Sequence, residues 1–243
     1  MMKGFIDFNV DVGEGIGNEA QIIPLVSSVN IACGGHAGDE KIIKEVLTLA
    51  KIHNVRVGAH PSFPDKANFG RVPMNISFSD LSLSLKNQID LLEVVANEEL
   101  VDITYIKPHG ALYHLACNER EFAQLLIELA GRRYSLMGLP NSLLQELCAS
   151  NGVDFIKEGF SDRAYESNGD LRKRSLEGSV LSDISDVSKQ VFDLIKGKIT
   201  SFSGESLNLN IDSICFHGDH DGAEKLIKEV VQTINKEGIG IRS

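Results

Sequence analysis

The chain has no long apolar run, no paired cysteines and no excess of positive charge, and each absence removes a class of function. Its apolar stretches are interrupted every few residues, so none approaches the roughly 20 residues that a membrane-spanning helix needs. The opening Met1-Met2-Lys3-Gly4-Phe5-Ile6-Asp7 carries no apolar core of a secretory signal, which predicts a cytoplasmic location. Cys33, Cys117, Cys148 and Cys215 are widely spaced with no Cys-x-x-Cys pair. That excludes a disulfide framework and a zinc ribbon and predicts free thiols. A formal net charge of -10 argues against a nucleic-acid or anionic-membrane surface, which needs a basic face. A small anion would have to be held by local cations. Neither Gly-x-x-x-x-Gly-Lys-Ser/Thr nor a Gly-x-Gly-x-x-Gly after a strand occurs, so no familiar nucleotide loop is present.

There is also no repeat, low-complexity tract or interdomain linker. With 243 residues, 42% of them hydrophobic, the chain is expected to form one domain over 1–243 around one large core. Short β-branched runs predict strands at Phe5–Asp11, Ser28–Ala32, Arg56–Ala59, Ile103–Lys107, Tyr134–Met137, Val153–Ile156 and Ser213–His217. Between them apolar residues recur at helical spacing, most clearly Ala223, Leu226, Ile227, Val230, Val231 and Ile234. Asp39 and Ser77 are expected N-caps, and Asp221 with Glu224 a capping pair. Strand–helix alternation means parallel strands joined by right-handed crossovers. The fold class is therefore α/β, and about seven units favour a (β/α) barrel, closed or slightly distorted, over a doubly wound open sheet. Ser161–Ser182 has no clear periodicity and is expected to be a functional loop.

Active sites of β/α barrels lie at the C-terminal ends of the strands, and the polar residues of this chain gather there. In the first strand Ile6, Phe8, Val10 and Val12 share one side, for packing on helices. Asp7, Asn9 and Asp11 share the other, which aims Asn9 and Asp11 into the barrel mouth. Three glycines crowd the turn that carries His36, allowing close ligand approach. Of the seven histidines, four (His36, His60, His109 and His217) follow four separate predicted strands. Lys107 points with His109, and Asp219 with His217. His53 is expected to sit at a helix C-terminus.

These residues also carry a resemblance. Asp7-Phe8-Asn9-Val10-Asp11-Val12-Gly13-Glu14-Gly15, Asn30-Ile31-Ala32-Cys33-Gly34-Gly35-His36-Ala37-Gly38-Asp39, Gly58-Ala59-His60-Pro61 and Phe69-Gly70-Arg71 are similar to motifs of the LamB/YcsF family. So are Lys107-Pro108-His109-Gly110-Ala111-Leu112-Tyr113, Glu158-Gly159-Phe160-Ser161-Asp162-Arg163-Ala164-Tyr165 and Cys215-Phe216-His217-Gly218-Asp219, all in order from residue 7 to 219. Gly35 replaces a residue that is often bulkier, and Val72 stands where a second arginine is common. The resemblance implies a fold like that of glycoside hydrolases and deacetylases. It implies the A subunit of an ATP-dependent 5-oxoprolinase, working with two partner subunits, B and C, to open 5-oxoproline to L-glutamate with Mg-ATP as cosubstrate.

On that footing a catalytic set of Asp11, His60, Lys107, His109, His217 and Asp219 is expected, with substrate contacts from Asn9, Glu14, His36, Asp162 and Arg163. The general base is Asp11 or one of His60, His109 and His217. Lys107 and Arg163 are the expected cations for a carboxylate, a phosphoryl group or a developing oxyanion. Asp219 is the expected partner that orients His217. No tightly bound metal is expected. ATP is placed either on the Arg163–Arg174 loop or in a site shared with the partner subunits. Two other readings compete. One is a stand-alone metal-dependent amidase or deacetylase with ligands from Asp11, His36, His60, His109 and His217. The other is a non-catalytic ligand-binding subunit.

Overall fold

In the computed structural model, which describes residues 4–219 and 222–242, seven parallel strands close into a barrel. They are β1 (Phe5–Val12), β2 (Ser28–Ala32), β3 (Arg56–His60), β4 (Ile103–Ile106), β5 (Ser135–Gly138), β6 (Phe155–Phe160) and β9 (Ser213–Phe216). Each pairs with the next, and β9 closes the ring by pairing with both β6 and β1. The closed sheet is the expected barrel and not the open alternative. β7 (Lys198–Thr200) and β8 (Ser206–Asn208) form a small antiparallel hairpin between β6 and β9, and β10 (Gly240–Ile241) adds to the start of β1. The strand expected at Val153–Ile156 begins two residues later and runs on to Phe160, which brings Glu158 inside the sheet.

The helices are α1 (Glu19–Ile22), α2 (Glu40–His53), α3 (Phe78–Glu99), α4 (Gly110–Asn118), α5 (Arg120–Ala130), α6 (Leu143–Asn151), α7 (Ile184–Ile195) and α8 (Ala223–Lys236). Asp39 caps α2 by accepting from the Ile42 amide, and Ser77 caps α3 by accepting from Asp80, which satisfies N–H groups the helices cannot. His53 lies in the last turn of α2, and Asn54 beyond it takes the left-handed cap conformation. The capping role read for Asp221, and His220 beside it, fall outside the described residues. Among the described residues no helix is long and apolar enough to cross a membrane.

The alternation read in β1 holds. Ile6, Phe8, Val10 and Val12 belong to the apolar core between barrel and helices, while Asp7, Asn9 and Asp11 enter a polar column inside the barrel. At the floor, Asp7 Oδ1 accepts from the Ser27 and Ser28 hydroxyls, both at 2.6 Å, and Oδ2 accepts from Arg56 at 2.8 Å. Tyr105 fills the middle and donates to Asn30 Oδ1 at 2.6 Å. Gly58 makes room for it: a Cβ there would lie 2.2 Å from the Tyr105 ring. Asn30 Nδ2 donates upward to Asn9 Oδ1 and Asp11 Oδ1. The column ends at the strand C-termini.

Candidate active site

A cavity of about 680 Å³ opens at that end of the barrel. Asp11, Lys107 and Phe160 line its inner part; Arg71, Lys173 and Arg174 stand at its exposed rim. The end of β3 and the loops after β2, β4 and β9 bring His60, His36, His109 and His217 to this end of the barrel, because the last residues of parallel barrel strands all point to one end.

Lys107 is the electrostatic centre. Its buried ammonium donates to Asp11 Oδ1 at 2.9 Å and also touches Asn9 Oδ1 and Cys215 Sγ. Glu158 Oε1 lies 2.8 Å away. Burial works against the charge on Lys107, but Asp11, Cys215 and Glu158 more than offset it, so its pKa stands well above the ordinary lysine value. Burial likewise opposes the charge on Asp11, and the neighbouring His60 and Lys107 outweigh it, holding the carboxyl well below its usual range. Lys107 therefore has no uncommitted proton for a substrate anion; it fixes two carboxylates instead.

Three histidines meet beside this pair. His60 Nδ1 lies 2.7 Å from the Lys107 carbonyl, and its Nε2 is 3.0 Å from His109 Nδ1 and 3.4 Å from Asp11 Oδ2. His109 Nε2 lies 3.0 Å from the Phe69 carbonyl. Burial, with the nearby His60 and His36 rings, pushes His109 far below the ordinary imidazole range. His36 stacks on His109 with centroids 3.7 Å apart, and contacts Glu14 Oε1 and Ser62 Oγ, each at 2.9 Å. One donor atom from each of Glu14, His36, His60 and His109 lies within 4.8 Å of the others. The backbone is shaped for this packing. Gly70, with φ +62°, carries the chain against His36 and His109, and Gly110, with φ +56°, meets the Gly70 carbonyl so closely that a Cβ would sit 2.6 Å from it.

His217 stands across the cavity. Asp162 Oδ1 lies 2.7 Å from its Nδ1, and Asp162 Oδ2 accepts from its backbone N–H. Burial opposes the Asp162 charge, but His217 and its hydrogen bonds prevail and depress the carboxyl pKa. Asp162, not Asp219, thus orients His217. Asp219 accepts from Arg71 at 3.0 Å and closes the rim. Asp162, expected as a substrate contact, is a buried residue whose carboxylate is paired with His217.

Arg163 lines the cavity, but its guanidinium donates to the Ser179 and Arg172 carbonyls. It braces the irregular 161–182 segment. Burial and the Arg174 charge lower its pKa to about 10. Asn9 is fully buried and bonded to Ser213 and Asn30, so it positions the strands below the cavity. Two further residues join the site that strand alternation does not single out, Glu158 and Tyr113. Both are buried: Glu158 against Lys107, Tyr113 in the cavity wall. Burial, with Glu158 nearby, raises the Tyr113 pKa well above normal.

Residues 6–243 match the model of the LamB/YcsF family. The chain is 38% identical over 247 residues to the A subunit of 5-oxoprolinase from Staphylococcus aureus (strain Newman), covering 98% of this chain and 99% of that one. Its fold superposes on the lactam utilization protein from Thermus thermophilus with a TM-score of 0.91 at 33% identity, covering 98% and 99% of the two chains. A GH18 chitinase from Pseudoalteromonas aurantia shares the fold at a TM-score of 0.54 and 12% identity, covering 93% of this chain and 99% of that one.

Proposed function

The chain belongs to the LamB/YcsF family, and on that premise we propose that it is the A subunit of an ATP-dependent 5-oxoprolinase. It opens 5-oxoproline to L-glutamate while ATP becomes ADP and phosphate, in a cytoplasmic complex with B and C subunits. The observation that carries this reading is the Asp162–His217 pair facing the fixed Asp11–Lys107–Glu158 charges across one cavity.

A five-membered lactam is a stable amide with a poor leaving group. Transfer of the ATP γ-phosphoryl to the carbonyl oxygen releases ADP and makes that carbon electrophilic; water then attacks it and the C–N bond breaks as the departing nitrogen takes up a proton. A second water hydrolyses the resulting acyl phosphate to glutamate and phosphate. His217 is the general base for the first water. Its Nδ1 is held by Asp162, its Nε2 makes no hydrogen bond among the described residues, and an imidazole so held can take a proton at the free nitrogen. Asp162 stabilises the imidazolium as it forms. Lys173 and Arg174 at the rim suit a phosphoryl group better than the committed Lys107 and Arg163 do. They fit one phosphoryl group, and the chain has no Gly-x-x-x-x-Gly-Lys loop for a whole nucleotide, so the ATP site is shared with the partners. Magnesium would belong with the nucleotide there.

The test is glutamate release from 5-oxoproline with Mg-ATP, using the protein alone and with B and C, following ADP in the same tubes. Glutamate only in the complete mixture, with ADP in step, is expected. No glutamate in any combination would overturn the reading.

A further inference from the structure

Hydrogen bonding at the outer nitrogens of His60 and His109 fixes what their inner nitrogens offer. A carbonyl oxygen only accepts. With Nδ1 of His60 at 2.7 Å from the Lys107 carbonyl, that nitrogen carries the proton and Nε2 keeps its lone pair. With Nε2 of His109 at 3.0 Å from the Phe69 carbonyl, Nδ1 keeps the lone pair there. The two lone-pair nitrogens face each other at 3.0 Å, with the rings 87° apart. Glu14 Oε1 lies 3.3 Å from one and 3.9 Å from the other. Asp11 Oδ2 lies 3.4 Å from His60 Nε2. Four electron-rich atoms converge in a buried place, an arrangement that repels itself unless a cation lies among them.

His36 plays a different part. Its ring is parallel to that of His109, 4° between planes, so the two cannot both aim lone pairs at one point. Its Nε2 lies 2.9 Å from Glu14 Oε1 and its Nδ1 lies 2.9 Å from Ser62 Oγ, which makes it the group that orients Glu14. The charges agree with a cation. Asp11 and Glu158 share the ammonium of Lys107, while Glu14 is held against the rings of His36, His60 and His109; a divalent ion placed among the ring nitrogens would pair with Glu14 as Lys107 pairs with the other two.

We propose that Glu14, His60 and His109 bind a borderline divalent transition-metal ion, zinc foremost, with Asp11 beside it and His36 as the positioning residue. Donors bound to one tetrahedral zinc at about 2.0–2.2 Å lie about 3.4 Å apart. The contacts just given need only small ring and carboxylate shifts to reach that. Two imidazoles select against magnesium, which takes oxygen ligands, so this ion is distinct from the one that accompanies ATP. The site does not depend on the 5-oxoproline reading, since metal content is measured without turnover.

The test is elemental analysis of the full chain purified without added metal, then stripped with a chelator and titrated with zinc, cobalt(II), manganese(II) and magnesium. About one equivalent of zinc or cobalt is expected, with a rise in Tm on zinc addition and visible cobalt absorption from nitrogen and oxygen ligands. Glu14→Gln and His109→Ala should lose the stoichiometry, His36→Asn should weaken affinity by about 10–100-fold, and the exposed His53→Ala should keep full binding. Should a variant fail to fold, the cobalt spectrum of the unaltered chain still decides. Failure of every transition ion to bind the stripped protein or raise its Tm would overturn the proposal. So would an NMR signal showing one proton shared between His60 and His109 with zinc in excess.

Discussion

The floor and the mouth of the barrel are built from the same strand, yet they use their carboxylates in opposite ways. Asp7 and Asp11 lie four residues apart on one side of β1. At the floor, Asp7 is enclosed by two serine hydroxyls and Arg56, with both oxygens engaged, and Arg56 lies over the Tyr105 ring. At the mouth, Asp11 keeps an edge on the cavity beside His60 Nε2, and its cation Lys107 is shared with Glu158. Buried charges must be paired. The floor pairs them completely and so contributes rigidity, whereas the mouth leaves electron-rich atoms facing open space and so can act on something placed there.

This contrast is broken or kept by neutralising each carboxylate. Asp11→Asn is expected to lower glutamate release by the complete complex about 10³-fold, a loss typical of removing a positioned charge or proton-transfer partner. Lys107 retains Glu158, so the loss of Tm should be the smaller of the two. Asp7→Asn should do the reverse: about 3 kcal/mol of stability goes because Arg56 is left unmatched, a fall in Tm of about 10 °C for a chain of this size. The fraction that remains folded should turn over within a few-fold of the original. Thermal melts and turnover on both variants check the pair, and equal damage to both properties in each would erase the distinction.

A second carboxylate at the mouth sharpens it through pH. The Asp162 pKa is depressed in the folded chain, so the unfolded chain binds this proton more readily. Its stabilisation is present above the unfolded value of about 3.9 and is lost as pH falls through the lower folded value. Asp162→Asn should remove that acid dependence, so its stability curve below about pH 4 should be flatter than the original's. Urea melts across that range measure it. At neutral pH the same variant should lose turnover, because His217 is no longer oriented; full activity in Asp162→Asn would remove the pair from the reaction.

How far these features could be read in the sequence depends on whether they follow from alternation along one strand. The two sides of β1, the joint direction of Lys107 and His109, and the arrival of four histidines at one end all do, and the closed barrel shows them. Glu158 is hidden because Lys157-Glu158-Gly159 reads as a polar turn, and only closure of β6 onto β9 turns that carboxylate inward to Lys107. The partner of His217 is hidden for a related reason. Asp219 shares its side but is two residues along the chain, about 6.6 Å away, whereas neighbouring strands are about 4.8 Å apart. Asp162, just past the end of β6, is nearer in space though 55 residues away in sequence. Contacts across strands belong to the topology, and local spacing does not reveal them.

Tyr105 gives the finest division between the two regions, because it stands between them. Its hydroxyl donates to Asn30 Oδ1, and Asn30 Nδ2 donates on to Asp11. Tyr105→Phe removes one buried hydrogen bond and leaves the Asn30 acceptor short of a donor, a cost of about 1 kcal/mol and a Tm lower by about 2–4 °C. The ring stays against Gly58, so packing is unchanged. If floor and mouth are independent, turnover stays within about threefold, and the stability losses of Tyr105→Phe and Asp7→Asn differ from additivity by less than about 0.5 kcal/mol only if Asp7 and Tyr105 share no partner. They do share one, Arg56, through its ion pair with Asp7 and its contact with the Tyr105 ring. The expected result is therefore coupling in stability without coupling in turnover. A turnover loss as large as that of Asp11→Asn would instead show that the column transmits its state to the mouth, and that the floor belongs to the active site.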